Sequence, residues 1–247
     1  MNGRDDMDEG WNRSAGAWLA LMGRDGDFSR THVLDAPMLA RTRGATRALD
    51  VGCGEGRFCR MMAAQVPEVT GLDPTRALLD VARERGAAEF VEGRAEDMPF
   101  GDGAFDLVVS YLTLIDIPDA RAGLSEMVRV LCPGGRLLIA NLQGWLTAAQ
   151  TKADGWSRDD EGAASMVVDR YFEEHAFRGA WKGMSILNWH RPLAWYMQTL
   201  LGLGLELVHF DEPKAEGGAE SERYNRAPYL LMMEWRKPAA RAARPGG

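Results

Sequence analysis

From residue 46 onward, the chain alternates short apolar runs with amphipathic stretches of helical spacing. Five of the apolar runs show no polar alternation: TRALDV, VTGL, AEFVEG, FDLVVSYL and GRLLIANL. Continuous apolar strands separated by helices are typical of βαβ units, in which helices cover both faces of a parallel sheet. The pattern therefore predicts an α/β fold with a doubly wound, mostly parallel sheet.

Two further apolar runs follow near the C-terminus, LELVHF and APYLLMMEW, and a long polar loop joins them. Strands joined in this way predict an antiparallel closing strand at one edge, which brings the sheet to seven strands. Before the first strand, helical spacing predicts helices over residues 11–22 and 31–42. It predicts another helix over 192–201, just before the strand LELVHF.

The same pattern divides the chain into five parts. After residue 141 the α/β rhythm stops, and a stretch rich in Trp, Gly and charge follows, with a helix expected near residues 163–176. We interpret this stretch as a helical lid inserted over the sheet. The parts are an N-terminal helical cap (1–45), an α/β core (46–141), a lid or substrate insertion (142–189), the C-terminal part of the core (190–238) and a disordered tail (239–247).

Composition and charge exclude several classes of function. The net charge is −7, with 36 acidic and 29 basic residues, which disfavours a nucleic-acid partner. The cysteines, Cys53, Cys59 and Cys132, form no CxxC or His/Cys pattern, so we expect neither disulfides nor a metal site. The acidic N-terminus lacks an apolar signal region, and no run is long enough to span a membrane. We therefore expect a cytoplasmic protein without a membrane partner.

The segment ALDVGCGEGRF carries the most specific signal in the chain. Its glycines lie between a predicted strand and a predicted helix, where glycine lets the backbone turn sharply and approach a ligand. Asp73 ends the next strand, where an acidic residue is placed to accept both hydroxyls of a ribose. The dinucleotide fingerprint requires its third glycine at position 57, which is Arg57 here.

With this loop, the sequence resembles the class I S-adenosylmethionine (SAM) dependent methyltransferases, within the type 11 group related to the ubiquinone/menaquinone methyltransferases. The resemblance implies that residues 46–141 bind SAM, with the glycine loop on its methionine end and the acidic residue on its ribose. The implied cofactor residues of this region are Asp50, Gly52, Cys53, Gly54, Gly56, Asp73 and Pro74.

Further segments match the family in the same order along the chain. EGRAEDMPFGDGAFDLVVS resembles the stretch around the adenine site, which implies Ala95, Glu96 and Asp97 as adenine-side residues. The strand FDLVVSYL resembles the family's fourth strand, and this resemblance implies that Ser110, Tyr111 and Leu112 form a wall near the sulfonium. Many relatives carry histidines where this chain has Ile115 and Asp116, so the role of those histidines does not transfer.

The resemblance implies transfer of a methyl group to an O, N or C atom of a small molecule. In-line displacement at a sulfonium depends on positioning and exclusion of water, and some acceptors also require a base. His190 is the candidate base, because it opens a segment that resembles one found after the lid in relatives. Candidate substrate residues are Trp18, Tyr171, His175 and Trp189.

Three alternatives remain open from the sequence. A SAM-binding regulatory module without turnover would carry the same glycine loop. A dinucleotide-dependent oxidoreductase is disfavoured by Arg57, and a nucleic-acid methyltransferase by the acidic balance and by the sequence Ser110-Tyr111-Leu112-Thr113, which lacks an N/D-P-P-Y/F motif. The sequence allows either a monomer or a homodimer.

Overall fold

The computed structural model describes residues 3–149, 156–162 and 164–239. Most of the predicted disordered tail, from residue 240 on, lies outside the described residues. The strands are β1 Arg47–Val51, β2 Glu68–Asp73, β3 Glu89–Glu92, β4 Phe105–Tyr111, β5 Leu131–Leu142, β6 Trp156–Arg158, β7 Ala164–Met166, β8 His175–Trp181, β9 Met184–His190, β10 Glu206–Asp211 and β11 Leu230–Arg236.

Helices precede, separate and follow these strands. A π-helical turn, Arg30–Leu34, leads directly into the second helix. The helices are α1 Gly3–Met22, α2 Asp35–Ala40, α3 Arg57–Met62, α4 Arg76–Arg85, α5 Ala120–Val130, α6 Gly144–Ala148, α7 Leu193–Gly202 and α8 Ser221–Arg226. Among the described residues, no helix combines the length and apolar character needed to cross a membrane.

Seven strands form the main sheet, in the order β10-β11-β5-β4-β1-β2-β3. All neighbouring pairs from β3 to β5 are parallel, whereas β11 runs antiparallel to both β5 and β10. The predicted fold class is thus confirmed, including the antiparallel closing strand. The strand order reverses between β1 and β4, and open α/β sheets bind ligands at the carboxyl ends of the strands beside such a point.

Apolar side chains from alternate strand positions form a buried layer on each face of the sheet. One face presents Leu49, Val108, Leu137 and Leu231 to α5 and α7. The opposite face presents Ala48, Leu107, Leu138 and Met232 to the N-terminal segment and α3. Because both faces are covered, the central strands can be apolar at nearly every position, which explains the missing polar alternation.

The helix predicted near residues 163–176 is wrong, and the insertion is not a helical lid. It contains a β6–β7 pair and a β8–β9 hairpin, besides the short helix α6. The hairpin turns at Lys182 and Gly183, both with positive φ (45° and 83°), which matches the twist of antiparallel strands. Along β9, buried positions alternate with more exposed ones, so the strand has one inward face.

Helix α1 packs against this hairpin. The backbone N–H of Ser185 donates to Ser14 Oγ at 3.1 Å, and a side chain at Gly10 would meet the Ser185 carbonyl at 3.3 Å. The hairpin is also joined to the loop after β4, because the Trp189 N–H donates to the Ile115 carbonyl at 2.7 Å. Helix α1 and the β8–β9 hairpin therefore form one layer over the carboxyl ends of the central strands, which we call the cover layer.

An ion pair fastens the N-terminal segment to the core. Arg57, the first residue of α3, donates from Nη1 to Asp35 Oδ1 at 2.9 Å and from Nε to the Asp25 carbonyl at 2.6 Å. The hydroxyl of Tyr111 donates to the same Asp35 oxygen at 2.9 Å. Since Asp35 and Arg57 are both buried, this pair fixes the segment before α2 against the glycine loop.

Candidate functional site

The glycine loop connects β1 to α3 and is held against β2. Gly52, Gly54 and Gly56 all have positive φ, at 75°, 55° and 75°, a region that other residues rarely adopt. The N–H groups of Gly52 and Cys53 donate to the Leu72 carbonyl at 2.7 and 3.0 Å. The loop therefore has a fixed path along the carboxyl end of the neighbouring strand.

The three glycines have different surroundings. A Cβ at Gly52 would lie 2.2 Å from the Thr113 side chain, and one at Gly56 would lie 2.7 Å from the Phe90 ring. At Gly54, the nearest atoms are 3.9 Å away, on Trp18 and Leu78. Gly52 and Gly56 are thus required by packing, whereas Gly54 leaves its bare backbone facing open space.

Asp73, the last residue of β2, lies beside Gly54. Its Oδ2 accepts from the Gly54 N–H at 2.8 Å, and its Oδ1 accepts from the Thr75 N–H at 2.7 Å. Burial raises the pKa of Asp73 more than these hydrogen bonds lower it. The carboxyl group therefore stabilises both the glycine loop and the turn into α4, while its edge remains on the cavity surface.

Two adjoining cavities lie at this end of the sheet. The smaller, of about 80 Å³, is bounded by the glycine loop, the segment after β2 and the segment after β3. Its lining residues are Trp11, Trp18, Gly52, Gly54, Leu72, Asp73, Pro74, Thr75, Leu78, Gly93, Arg94, Ala95, Glu96, Thr113, Asp116 and Ile117.

The larger cavity has a volume of about 550 Å³ and lies between the loop after β4, the cover layer and the segment around α8. Much of its wall is apolar, including Leu112, Leu146, Phe177 and Ile186. Charged and phenolic groups complete it: Asp27, Arg30, Asp116, Arg178, Arg223, Tyr224 and Tyr229. Such a wall suits a molecule with an apolar body and a few polar groups.

Three residues line both cavities: Trp11, Trp18 and Asp116. The two tryptophans pack edge to face, with ring centroids 5.3 Å apart. Asp116 accepts through Oδ1 from Asn188 Nδ2 at 2.5 Å, which joins the loop after β4 to β9. The junction of the cavities is thus an aromatic wall with one carboxyl group.

The structure brings about half of the expected cofactor residues to the smaller cavity. Those lining it are Gly52, Gly54, Asp73, Pro74, Ala95 and Glu96. Leu112 lines the larger cavity instead. The remaining ones, Asp50, Cys53, Gly56, Asp97, Ser110 and Tyr111, line neither cavity.

These remaining residues have other surroundings. Asp50 and Ser110 are buried within their strands, while Asp97 is exposed. Cys53 packs behind the loop, where its Sγ would lie 2.7 Å from a Cβ at Gly71. Tyr111 donates its hydroxyl to Asp35, so it belongs to the anchor of the N-terminal segment.

Of the expected substrate and catalytic residues, only Trp18 lines a cavity. His190 is fully buried, with Nδ1 2.6 Å from Thr147 Oγ1 and Nε2 2.8 Å from the Tyr171 carbonyl oxygen. Burial lowers its pKa, and both ring nitrogens already have partners. His190 thus lines neither cavity, and its geometry, with both ring nitrogens occupied, is that of a structural histidine rather than of the expected base.

The other candidates surround the same structural centre. The rings of Tyr171 and His175 lie 5.7 and 5.1 Å from the His190 ring. Trp189, on β9, points away from the cavities, because its neighbours Asn188 and His190 occupy the inward positions. Tyr171, His175 and Trp189 therefore belong to the packing of the hairpin and line neither cavity.

Sequence reasoning missed several lining residues, among them Trp11, Thr113, Asp116 and Asn188. In the sequence, Asp116 stands out only as a departure from the family. Trp11 lies two helical turns before Trp18, a spacing that places both on one face of α1. Asn188 had no local signal, since its position depends on the pairing of β8 with β9.

Comparison with known proteins assigns the family. Residues 49–139 match the family described as Methyltransferase domain, of type 11. A malonyl-[acyl-carrier protein] O-methyltransferase of Salmonella typhimurium is 32% identical over 186 residues, which cover 72% of each chain. The chain belongs to the type 11 methyltransferases. This confirms the family resemblance that the glycine loop indicated.

Other methyltransferases match over shorter stretches or by fold. A demethylmenaquinone methyltransferase of Listeria monocytogenes is 39% identical over 121 residues, or 43% of this chain and 51% of that protein. The chain thus spans about half the length of that relative. A crystal structure of an S-adenosylmethionine dependent methyltransferase from Mesorhizobium loti superposes with a TM-score of 0.70 at 24% identity, covering 87% of this chain and all of that one, and shows the shared fold.

Proposed function

We propose that this protein transfers a methyl group from SAM to a small-molecule acceptor. The observation that carries the proposal is the pairing of Gly54 with Asp73 at the carboxyl ends of β1 and β2. A bare glycine backbone and a buried carboxyl group on one cavity wall suit a ribose with its attached chain. The dinucleotide alternative is weaker, because Arg57 occupies the third glycine position and is committed to Asp35.

The residues around the smaller cavity match the groups of SAM part by part, but its volume of about 80 Å³ is below the usual range of small-molecule sites, so binding requires the cavity to widen. Asp73 would accept from the ribose hydroxyls, and the stretch from Gly93 to Glu96, with Ile117, would contact the adenine. Asp50 lies outside both cavities, and its Oδ1 is buried without a hydrogen-bond partner among the described residues. When bound, SAM supplies the methyl group on a positively charged sulfur.

The chain's own contribution is orientation and exclusion of water. Trp11 and Trp18 lie over the junction of the cavities, where methyl group and acceptor must meet. The cover layer closes the larger cavity from the side opposite the sheet. Alignment of the two reactants and removal of water are the main ways in which a protein accelerates such a displacement.

The larger cavity is the proposed acceptor site. Its volume of about 550 Å³ lies in the usual range of small-molecule sites, about 300–1,000 Å³. The cavity also begins where the smaller one ends, at Asp116 and the two tryptophans. A small molecule bound there would present one atom to the junction while its apolar part contacts Leu146, Phe177 and Ile186.

Binding of S-adenosylhomocysteine (SAH), measured by calorimetry with NAD as the competing candidate, tests the proposal. We expect SAH to bind and NAD not to bind. Gly54→Val should abolish SAH binding, because a branched side chain would occupy the ligand volume and disfavour the positive φ. Gly101→Val is the matched control, since Gly101 is exposed with open space around it.

Two outcomes would contradict the proposal. Binding of NAD in place of SAH would indicate an oxidoreductase. Binding of SAM without methyl transfer to any candidate acceptor would indicate a SAM-binding module.

A further inference from the structure

The carboxyl group of Asp116 is the ionisable group shared by the two cavities within the described part of the chain. If donor and acceptor occupy these cavities, as the proposed function requires, the reacting atoms meet beside this side chain. The position therefore calls for an account of what a carboxyl group does there.

Hydrogen bonds hold Asp116 in one orientation. Its backbone N–H donates to the Thr113 carbonyl at 2.8 Å, and its Oδ1 accepts from Asn188 Nδ2 at 2.5 Å. Its Oδ2 receives no hydrogen bond from the described residues and is not fully buried. One oxygen is thus used for positioning, and the other remains available at the junction.

The charges around Asp116 favour uptake of a proton. Burial raises the pKa of Asp116 well above its ordinary value and Asp73 on β2 raises it further, while the hydrogen bond from Asn188 and the charge of Arg30 lower it. Arg30 is itself paired with Asp27 at 2.9 Å and lies over the Trp18 ring. Arg178 on β8 lines the same cavity, and within the described chain no ion pair joins a cation to Asp116.

We propose that Asp116 is the proton acceptor of the methyl transfer, and that the methyl acceptor is therefore a neutral O–H or N–H nucleophile. A lone pair of the nucleophile forms the bond to the methyl carbon, and the carbon–sulfur bond breaks with its electron pair left on sulfur. The proton of the nucleophile passes to Asp116 Oδ2. The products are the methylated acceptor, neutral SAH and protonated Asp116.

The same geometry disfavours a carboxylate as the methylated group. A carboxylate has no proton to give, and its negative charge would lie beside an ionised Asp116 in a partly buried site. A carboxylate elsewhere on the acceptor is compatible with the cavity, because the arginines Arg178 and Arg223 line its other parts. Asp116 therefore selects the reacting end of the acceptor and not its overall charge.

Sinefungin allows a test that needs no knowledge of the acceptor. This SAM analogue carries an ammonium group where SAM carries its methylated sulfur, whereas SAH is neutral at that position. We expect an ionised Asp116 to favour sinefungin over SAH by on the order of 10-fold, as for a charge-assisted hydrogen bond. Asp116→Asn should remove this preference while SAH affinity stays within about 2-fold.

Asp119→Asn is the matched control, because Asp119 is an exposed carboxyl on the same loop and asparagine also caps a helix. It should keep the preference for sinefungin. In the wild type the preference should grow as pH rises and Asp116 ionises, and the Asp116→Asn variant should show no such rise. An unchanged preference in Asp116→Asn, with SAH still bound, overturns this inference alone. Failure of the wild-type protein to bind SAH would instead overturn the proposed function.

The class of nucleophile is tested with 4-hydroxybenzoate, which carries a phenol and a carboxylate on one aromatic ring. Its ring suits the wall formed by Tyr224 and Tyr229, and its carboxylate suits the arginines. We expect the methyl ether as product, formed about 100-fold more slowly by Asp116→Asn. The methyl ester as product, or ether formation that the substitution leaves unchanged, would overturn the inference.

Discussion

At the scale of single residues, three carboxyl groups near the carboxyl ends of the central strands have raised pKa values. Asp73 ends β2, Asp50 is the penultimate residue of β1 and Asp116 follows β4, and burial is the largest cause of the raised pKa of each one. For Asp50 the pKa rises to about 7. Natural proteins retain such costly groups mainly where function requires them.

Asp50 gives a prediction about stability and pH. Its pKa is about 7 in the folded protein and about 4 in an unfolded chain, so between these values the folded state binds more protons. Asp50 should therefore contribute a fall in the free energy of unfolding as pH rises from about 4 to 7, by on the order of a few kcal/mol. Asp50→Asn should make this decline shallower, though not flat, because Asp73 and Asp116 act in the same direction.

Urea denaturation of the ligand-free protein across this pH range measures the effect. Asp80→Asn, at an exposed position of α4, is the control and should leave the decline unchanged. The same pH dependence of stability in the wild type and in Asp50→Asn would contradict the raised pKa of Asp50.

At the scale of elements, the sequence predicted the sheet better than the insertion. The strands of the sheet are continuous apolar runs, a local signal that needs no knowledge of their partners. In the insertion, MSILNWH alternates between inward and outward positions, but Asn188 and His190 point inward while Leu187 and Trp189 point outward, so its letters show no apolar alternation. Strand pairing, which is long-range, prevailed over local spacing there.

The cover layer gives a prediction about dynamics. If it closes over bound ligands, SAH should slow amide hydrogen exchange in α1 and in the β8–β9 hairpin by about 5-fold or more. Exchange in the edge strand β10, at the far side of the sheet, should not change. Mass spectrometry of exchanged peptides resolves these segments. Equal slowing of all segments would indicate general stabilisation and contradict a local closure.

The anchor of the N-terminal segment gives a prediction about stability. Arg57→Ala leaves the buried Asp35 carboxyl without its cation, so the free energy of unfolding should fall by about 3 kcal/mol. Arg76 is the matched control, because it is also the first residue of a helix but is exposed. Arg76→Ala should cost less than about 0.5 kcal/mol in the same denaturation experiment. Equal losses of unfolding free energy in the two variants would show that the buried ion pair does not contribute to stability beyond what an exposed arginine does.

At the scale of the whole molecule, the sequence predicted only the part of the site that consecutive strands contribute. The glycine loop and Asp73 lie on consecutive strands, and their parallel pairing brings their ends together in any fold of this class. The junction of the cavities instead combines Trp18, Asp116 and Asn188 from three distant elements. No local pattern fixes how α1 and β9 lie over the sheet, so the sequence indicated His190 and gave no sign that Asp116 lines both cavities.

The reversed strand β11 has a consequence for how the protein is made. Among the strands that the structure describes, β10 pairs only with β11, and β11 lies between β10 and β5. During synthesis, the parallel part of the sheet can assemble early, yet the outer edge of β5 stays open until the ribosome has released residue 236. An uncovered apolar strand edge is a template for pairing with other nascent chains. This chain should therefore depend most on chaperones in the interval between the emergence of β5 and that of β11.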